Sequence, residues 1–388
     1  MRIFVLLSRI PYPLEKGDKL RAFHQIKALS KNNEIILCAL NTVPKIDKQA
    51  AFQALQPYCR SINFLDLPFC GRVINLVRAF FSPLPLQAGY FFNKRVSREI
   101  KRLIKVYQPE HIYCQLIRTA QYVQHIPIKK TIDYQDVFSY GMKRRIRTSS
   151  IFFRPFIALE YRRLSAYESQ VFDEFDHHTI ISKPDRELIP HPEKNKIHIV
   201  LNGVDHDFFK PRTTTKKFDV VFTGNMAYPP NIDAAVFLAN QIMPLVWKSK
   251  PKTTLLLAGA SPDSRVTALA SDKVKVTGWM DDIRAAYAES RLFIAPMRLG
   301  TGLQNKLLEA MSMRLPTITT PLANNALCAE SEKEILVGES ADELAGHIIR
   351  LLENSTLYDD IAENGHLFVR KNYNWEEATR YLEEILNS

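Results

Sequence analysis

No run of about 20 unbroken apolar residues occurs in this 388-residue chain, so hydropathy excludes a transmembrane helix. The most apolar stretch, residues 73–92, is broken by Arg78, Pro83 and Pro85. The first residues meet Arg9 and Pro11 too early for a signal peptide and read instead as a strand. Cysteine is scarce: Cys38, Cys59, Cys70, Cys114 and Cys328 are an odd set without CxxC spacing, three of them in or beside apolar runs. Buried thiols in a reducing cytoplasm are expected, rather than disulfides or metal ligands. Zinc-ligand spacing, an RNP-like string, basic-region heptads, solenoid repeats and low-complexity tracts are also missing. The standard nucleic-acid modules are therefore excluded, and nucleic acid is not an expected partner.

Acidic residues are short in one half only. Residues 1–212 hold 34 Lys/Arg against 19 Asp/Glu, and residues 213–388 hold 18 against 22, so a +15 half precedes a −4 half. A surplus of this kind suits an acidic substrate or an anionic membrane surface, or is simply a solvated basic face. Basic residues alternate with aromatics in Lys143 to Arg163, as in a segment that lies at a membrane interface.

What the chain has is alternation. Candidate strands lie near residues 3–7, 35–40, 62–67, 111–114, 131–134, 178–182 and 197–201, with helical patterns such as 20–30 and 96–106 between most of them. A second series follows at 218–222, 254–258, 274–277, 292–295, 317–320 and 335–337, with helices expected at 231–247, 282–289 and from about 305, then at 341–353, 357–373 and 375–386. Repeated βα units predict parallel sheets covered on both faces, and the length favours two domains. A linker rich in Pro, Thr and Lys is expected at 206–217.

One stretch organises the rest. Residues 294–320 read as strand, loop with Gly300 and Gly302, helix and strand. A glycine loop feeding a helix N-terminus aims backbone N–H groups at an anion, and the helix dipole adds favourable charge. Lys306 falls in the first turn, where a cation opposes the dipole, and Arg298 leaves the preceding strand. A diphosphate would neutralise both. Glu309 shares the helix face of Lys306 at i+3, where a carboxylate accepts hydrogen bonds from a ribose. An ordinary surface loop is the alternative. A dinucleotide fingerprint is not, because Asn305 takes the third glycine position and Thr319, Thr320 and Pro321 offer no acid for a ribose.

The run from Pro296 to Met311 resembles the donor segment of GT-B glycosyltransferases of the family 4 group, in the branch of exopolysaccharide-type sugar transferases. The likeness extends through KGDKLRAFH (16–24), DYQDVFS (133–139), LNGVD (201–205), FTGNMAYPPNIDA (222–234) and TGWMDDIR (277–284). It implies two Rossmann-like doubly wound domains facing across a cleft. The acceptor-side domain would be residues 1–205, completed by a returning helix at 375–388, and the nucleotide-sugar domain 206–374. It implies a retaining transferase that moves a sugar from a nucleotide-sugar donor to a saccharide or lipid-linked cell-envelope acceptor. No obligatory metal or other cofactor is expected. Such an enzyme would work in the cytoplasm, at the inner face of the membrane. A GT-B-like nucleotide-sugar epimerase and a basic polysaccharide- or nucleic-acid-binding protein are the rival readings.

The resemblance assigns donor contacts to Gly17, Gly224, Arg298, Gly302, Leu303, Gln304, Asn305, Lys306 and Glu309. It places Lys19, Arg21, Asp133 and Asp136 on the acceptor side. Asp136, Arg298 and Lys306 are the candidate catalytic groups. Asp136 ends a strand, where a carboxylate can orient or deprotonate a hydroxyl, or equally cap the next segment. Asp133 is the weaker catalytic candidate. Three departures stand out: Gln135 replaces the usual histidine, Asn225 and Met226 carry no charge after Gly224, and Thr301 takes the place of the first glutamate of the EX7E motif. Asp205-His206-Asp207 mimics a metal-binding DxD, but it follows the Asn202-Gly203 turn, where Asp commonly caps.

Overall fold

A computed structural model of the chain describes residues 1–300 and 302–388, with only the backbone of 147 and 148. Thr301, the EX7E departure, lies outside the described residues. Two compact units emerge, Met1–Leu201 with Trp375–Ser388, and Asn202–Asn374. The division comes slightly before residue 205 because Val204 already belongs to the second unit. It bridges Asn374, and its N–H donates to the Tyr373 carbonyl at 3.0 Å.

Among the described residues, the first unit builds a seven-stranded sheet from β1 (Arg2–Leu7), β2 (Glu34–Asn41), β3 (Ser61–Asp66), β4 (His111–Gln115), β5 (Lys130–Asp133), β6 (His177–Ile180) and β7 (His198–Ile199). The spatial order is β3-β2-β1-β4-β5-β6-β7 and every pairing is parallel. Consecutive β1 residues divide between two cores: Phe4 and Leu6 join one, and Ile3, Val5 and Leu7 the other. A strand buried on both faces needs an unbroken apolar run, which is why RIFVLL shows no polar alternation. β7 is shorter than expected, although the Val200 N–H still reaches the Ile180 carbonyl at 2.9 Å.

The helix Trp375–Asn387 covers the second of these cores, with Leu382, Ile385 and Leu386 packed among β1 and β2 residues. Its start is fixed to the helix Gly17–Leu29 by stacking of Trp375 on His24, with ring centroids 5.0 Å apart.

The second unit repeats the plan with β8 (Phe218–Thr223), β9 (Leu255–Ala258), β10 (Val274–Val276), β11 (Ser290–Ala295), β12 (Thr317–Thr319) and β13 (Leu336–Val337). Their order is β10-β9-β8-β11-β12-β13, again all parallel. The single helix expected at 231–247 is instead helical at Pro229–Phe237, π-helical at Leu238–Ile242 and helical again at Met243–Ser249. Pro244 explains the change, since it lacks the N–H an α-turn would need and a wider turn absorbs the gap.

Candidate functional site

Strand order places the ligand site before any side chain is considered. In an open parallel sheet, ligands collect beyond the carboxyl ends of the strands, where neighbouring connections run to opposite sides. In the second unit that point lies between β8 and β11. β8 ends in Thr223-Gly224-Asn225, and β11 leads to the loop with Gly300 and Gly302, at φ 101° and 84°. Those left-handed angles favour glycine. The loop feeds the helix Asn305–Ser312, whose N-cap, Gln304, makes no side-chain capping bond and donates only to the Gly302 carbonyl at 3.4 Å. Leu303 is half-buried in this turn, and the Asn305 side chain accepts from Asn202 at 3.3 Å.

Lys306 is held at this helix start without a carboxylate partner among the described residues. Its Nζ donates to Asn231 Oδ1 at 2.5 Å and lies 4.6 Å from the centre of the Phe222 ring. Asn231 in turn donates to the Asn225 carbonyl at 2.9 Å, so one amide fixes both the β8 turn and the lysine. Gly224 leaves the room: a Cβ there would lie 2.7 Å from Asn231 Nδ2 and 3.1 Å from Lys306 Nζ. Gly259 is as constrained, since its Cβ would fall 1.8 Å from the Gly224 carbonyl oxygen. Desolvation lowers the Lys306 amine to about 7, with Glu309 opposing that shift.

Glu309 stands one turn on. Its Oε2 accepts from the Tyr287 hydroxyl at 2.7 Å, and that hydroxyl pairs with Thr223 Oγ1 at 2.7 Å. Burial raises the Glu309 carboxyl, while Tyr287 and Lys306 hold it down. The arrangement offers an anion a cation, helix amides and, one turn away, an acceptor for hydroxyls. Arg298 is placed differently from Lys306. It is exposed, forks onto Asp233 with bonds of 2.8 and 3.1 Å, and stacks 4.1 Å from the Phe237 ring centre. Its charge is already matched.

In the first unit the helix Gly17–Leu29 begins beyond β1, with Gly17 exposed and its N-cap, Lys16, making no side-chain cap. Lys19 is buried, and desolvation lowers its amine. With Ser8, Arg9, Asp18 and Gln115 it lines a small pocket at the β1 and β4 ends, where Arg9 pairs with Asp18 at 2.7 Å. Arg21 and Asp133, expected on the acceptor side, are instead locked together. Both side chains are 0% exposed, joined by bonds of 2.7 and 3.1 Å, and Asp133 also accepts from Thr179 Oγ1 at 2.8 Å. Burial opposes the Arg21 charge, but Asp133 and Tyr113 together more than restore it. A carboxylate satisfied in this way ties β5 to the helix and has no free face for a substrate.

Asp136 does face outward. It follows Gln135, which adopts φ 61°, and its Oδ1 accepts from the Val137 N–H at 2.8 Å. The side chain is exposed at the surface, yet the crowded groups around it desolvate the carboxyl and raise its pKa. Two further acids lie in its field. Burial pushes Glu168 up to about 7 and Asp185 up to about 6, and Asp136 adds to both shifts. Asp205, of the DxD-like triplet, caps a turn by accepting from the N–H groups of Asp207 and Phe208. Among the described residues no group of three His, Cys, Asp or Glu could hold a metal ion.

The family model described as Glycosyl transferases group 1 matches residues 217–354, which span Gly224, Asn231, Arg298, Lys306 and Glu309. Most of the second unit is thus similar to a group 1 glycosyltransferase domain. A 44.6 kDa protein in the cps region of Klebsiella pneumoniae is 23% identical to this chain over 96% of each. Among solved structures, the chain resembles Anabaena HepE in complex with UDP and glucose, with a TM-score of 0.70, 14% identity and 99% of each chain covered. It also resembles WaaG, a glycosyltransferase involved in lipopolysaccharide biosynthesis, with a TM-score of 0.66, 13% identity and complete coverage of both chains. The likeness spans the whole length, so the chain has the GT-B fold.

Sequence reasoning missed four residues of the group 1 domain: Asn231, Asp233, Gly259 and Tyr287. Asn231 and Asp233 carried a signal, because both stand in the FTGNMAYPPNIDA block, at the start of the helix Pro229–Phe237. Tyr287 and Gly259 carried none, being an ordinary helical aromatic and a glycine at a strand end.

Proposed function

We propose that this glycosyltransferase moves a sugar from a nucleotide-sugar donor to a saccharide or lipid-linked saccharide of the cell envelope or an exopolysaccharide, with retention and without a metal ion, at the inner face of the cytoplasmic membrane. One observation carries the reading: Lys306, a cation with no carboxylate partner among the described residues, is fixed by a neutral amide at an open helix N-terminus, with Glu309 one turn away. In this reading Lys306 and the helix amides take the diphosphate, and Glu309 takes the ribose through the oxygen that Tyr287 leaves open. When the bond from the anomeric carbon to the diphosphate oxygen breaks, the charge left on that oxygen meets Lys306 and the amide dipoles, the role that a divalent cation fills elsewhere.

The acceptor oxygen forms the new bond to the same carbon and gives up its proton to a base, for which Asp136, with its raised pKa, is the candidate. The binding of UDP and glucose by HepE, the part of WaaG in lipopolysaccharide biosynthesis and the cps-region relative support the donor and acceptor classes named here.

A thermal-shift panel of nucleoside diphosphates and nucleotide sugars tests the donor assignment. A ligand at 100 times its dissociation constant should add about 2.7 kcal/mol of stability. The shift should disappear in Lys306→Ala and be unchanged by EDTA. A panel without any shift would remove the donor assignment.

A further inference from the structure

Helices of water-soluble units turn their apolar face inward, and one helix of the first unit does the reverse. Phe69–Phe80 buries Arg72 and Ala79 while Phe69, Val73, Ile74, Val77 and Phe80 are exposed, positions that share one side at helical spacing. Arg72 is held inside by Tyr90, lying 5.3 Å from the centre of its ring and bonded to its hydroxyl. Phe81, directly after the helix, is 82% exposed.

A second segment meets the first. The turn between the helices Phe138–Thr148 and Arg154–Glu174 exposes Ile151, Phe152 and Phe153, and the start of the second helix exposes Phe156, with Phe152 also 82% exposed. Phe156 lies 6.5 Å from Phe80, ring centre to ring centre, and Arg163 donates to the carbonyls of Ala79 and Phe80 at 3.2 and 3.0 Å. The two apolar stretches therefore form one continuous surface. Exposed aromatics in this density are not the usual scatter of single apolar residues on a soluble protein.

Charge tells what covers this surface. No Asp or Glu occurs between Asp66 and Glu99, or between Asp136 and Glu160, while Arg78, Lys143, Arg145, Arg154 and Arg162 lie exposed within or beside the two segments. A purely apolar partner would not need a rim of cations, and an acidic one without acyl chains would not need the phenylalanines. No helix among the described residues is long and apolar enough to cross a membrane.

We infer that this surface, the outer face of Phe69–Phe80 together with the 149–156 turn, docks on the headgroup layer of an anionic phospholipid bilayer. The phenylalanines sink to the acyl boundary and the arginines pair with lipid phosphates. A groove lined by Arg145, Ser149, Ser150, Phe153, Phe156 and Ile157 opens in the same turn and supplies a place for part of a lipid. The inference builds on the lipid-linked acceptor proposed above, but the docking test involves no acceptor or donor.

Co-sedimentation of the full chain with vesicles of phosphatidylglycerol and phosphatidylcholine, against phosphatidylcholine alone, tests it. The wild-type chain should bind the anionic vesicles and weaken as salt rises. Phe81→Ser with Phe152→Ser should lower binding by about tenfold or more. Both side chains already face water, so the thermal midpoint should hold. Leu367→Ser, an exposed site in the second unit, should bind like wild type. Equal binding by the Phe81/Phe152 variant, or binding to neutral vesicles that ignores salt, would overturn the inference. So would lipid-free self-association that this variant abolishes, which would make the occupant a second copy of the chain. The nucleotide-sugar thermal shift should be the same in all these variants, which separates failure of docking from failure of the donor assignment.

Discussion

Arg21 in the first unit and Lys306 in the second begin from the same position in a Rossmann-like plan, a basic residue in the opening turns of a helix beyond a sheet's carboxyl edge. Their surroundings then diverge. Arg21 meets a carboxylate at 2.7 Å, Asp133, that is as deeply buried as itself, whereas Lys306 meets an amide oxygen, an aromatic ring and a glycine. A buried cation with a matched anion is finished as a structural element. One without a carboxylate at ion-pair distance is incomplete, and a ligand's negative charge would offset the desolvation that lowers the Lys306 pKa.

The sharpest way to break this contrast is to remove each cation. Arg21→Ala would strand Asp133 without its partner and should destabilise the first unit by about 3–5 kcal/mol in denaturant unfolding. Lys306→Ala should leave stability close to wild type and lower kcat/KM by about 2–4 kcal/mol, roughly thirtyfold to a thousandfold. A reversed pattern would show that the two residues had been assigned the wrong way round.

Titration gives a smaller effect. The folded pKa of Lys306 lies near 7, below its ordinary 10.5, so the amine is charged below pH 7 and neutral above it. A nucleotide sugar keeps its diphosphate ionised throughout this range, so its affinity should fall by up to about tenfold per pH unit above 7. Between the two values the unfolded chain binds more protons than the folded one, so the stability of the ligand-free protein should rise with pH. Lys306→Met should flatten both curves, measured by thermal shift with and without donor.

Tyr287→Phe removes the hydroxyl that orients Glu309 and should raise the donor KM by a factor corresponding to about 1 kcal/mol, with kcat little changed. The smallest effect belongs to Arg298. Because Asp233 already matches its charge at the surface, Arg298→Ala should cost less than about 1 kcal/mol in kcat/KM. A loss as large as that of Lys306→Ala would mean that the arginine leaves Asp233 to meet the diphosphate.

The plan of both sheets was legible because strands buried on two faces must be apolar throughout, and the helices between them repeat at a different period. Lys306 and Glu309 were legible because i+3 spacing puts them on one helix face whatever the tertiary structure. Arg21 and Asp133 show the limit of such reasoning. Both sit at strand or helix ends where a ligand is expected, yet local sequence does not reveal that the two side chains turn inward toward one another across 112 positions. Asn231 and Tyr287 reach Lys306 and Glu309 from two separate helices, so only the assembled sheet brings them together. The π-helical turn at Leu238–Ile242 was hidden for a different reason: its apolar pattern is continuous, and only Pro244 marks the break.

The helix Trp375–Asn387 lays Leu382, Ile385 and Leu386 into a core otherwise made from strands and helices within positions 3–200 of the chain. Those residues leave the ribosome only after all of Asn202–Asn374, a delay on the order of ten to thirty seconds at ordinary rates of synthesis. Until then the nascent first unit keeps an uncovered oily seam, and its closure is a late event of biogenesis rather than an early one. A premature stop within the second unit would therefore damage the part of the protein made first.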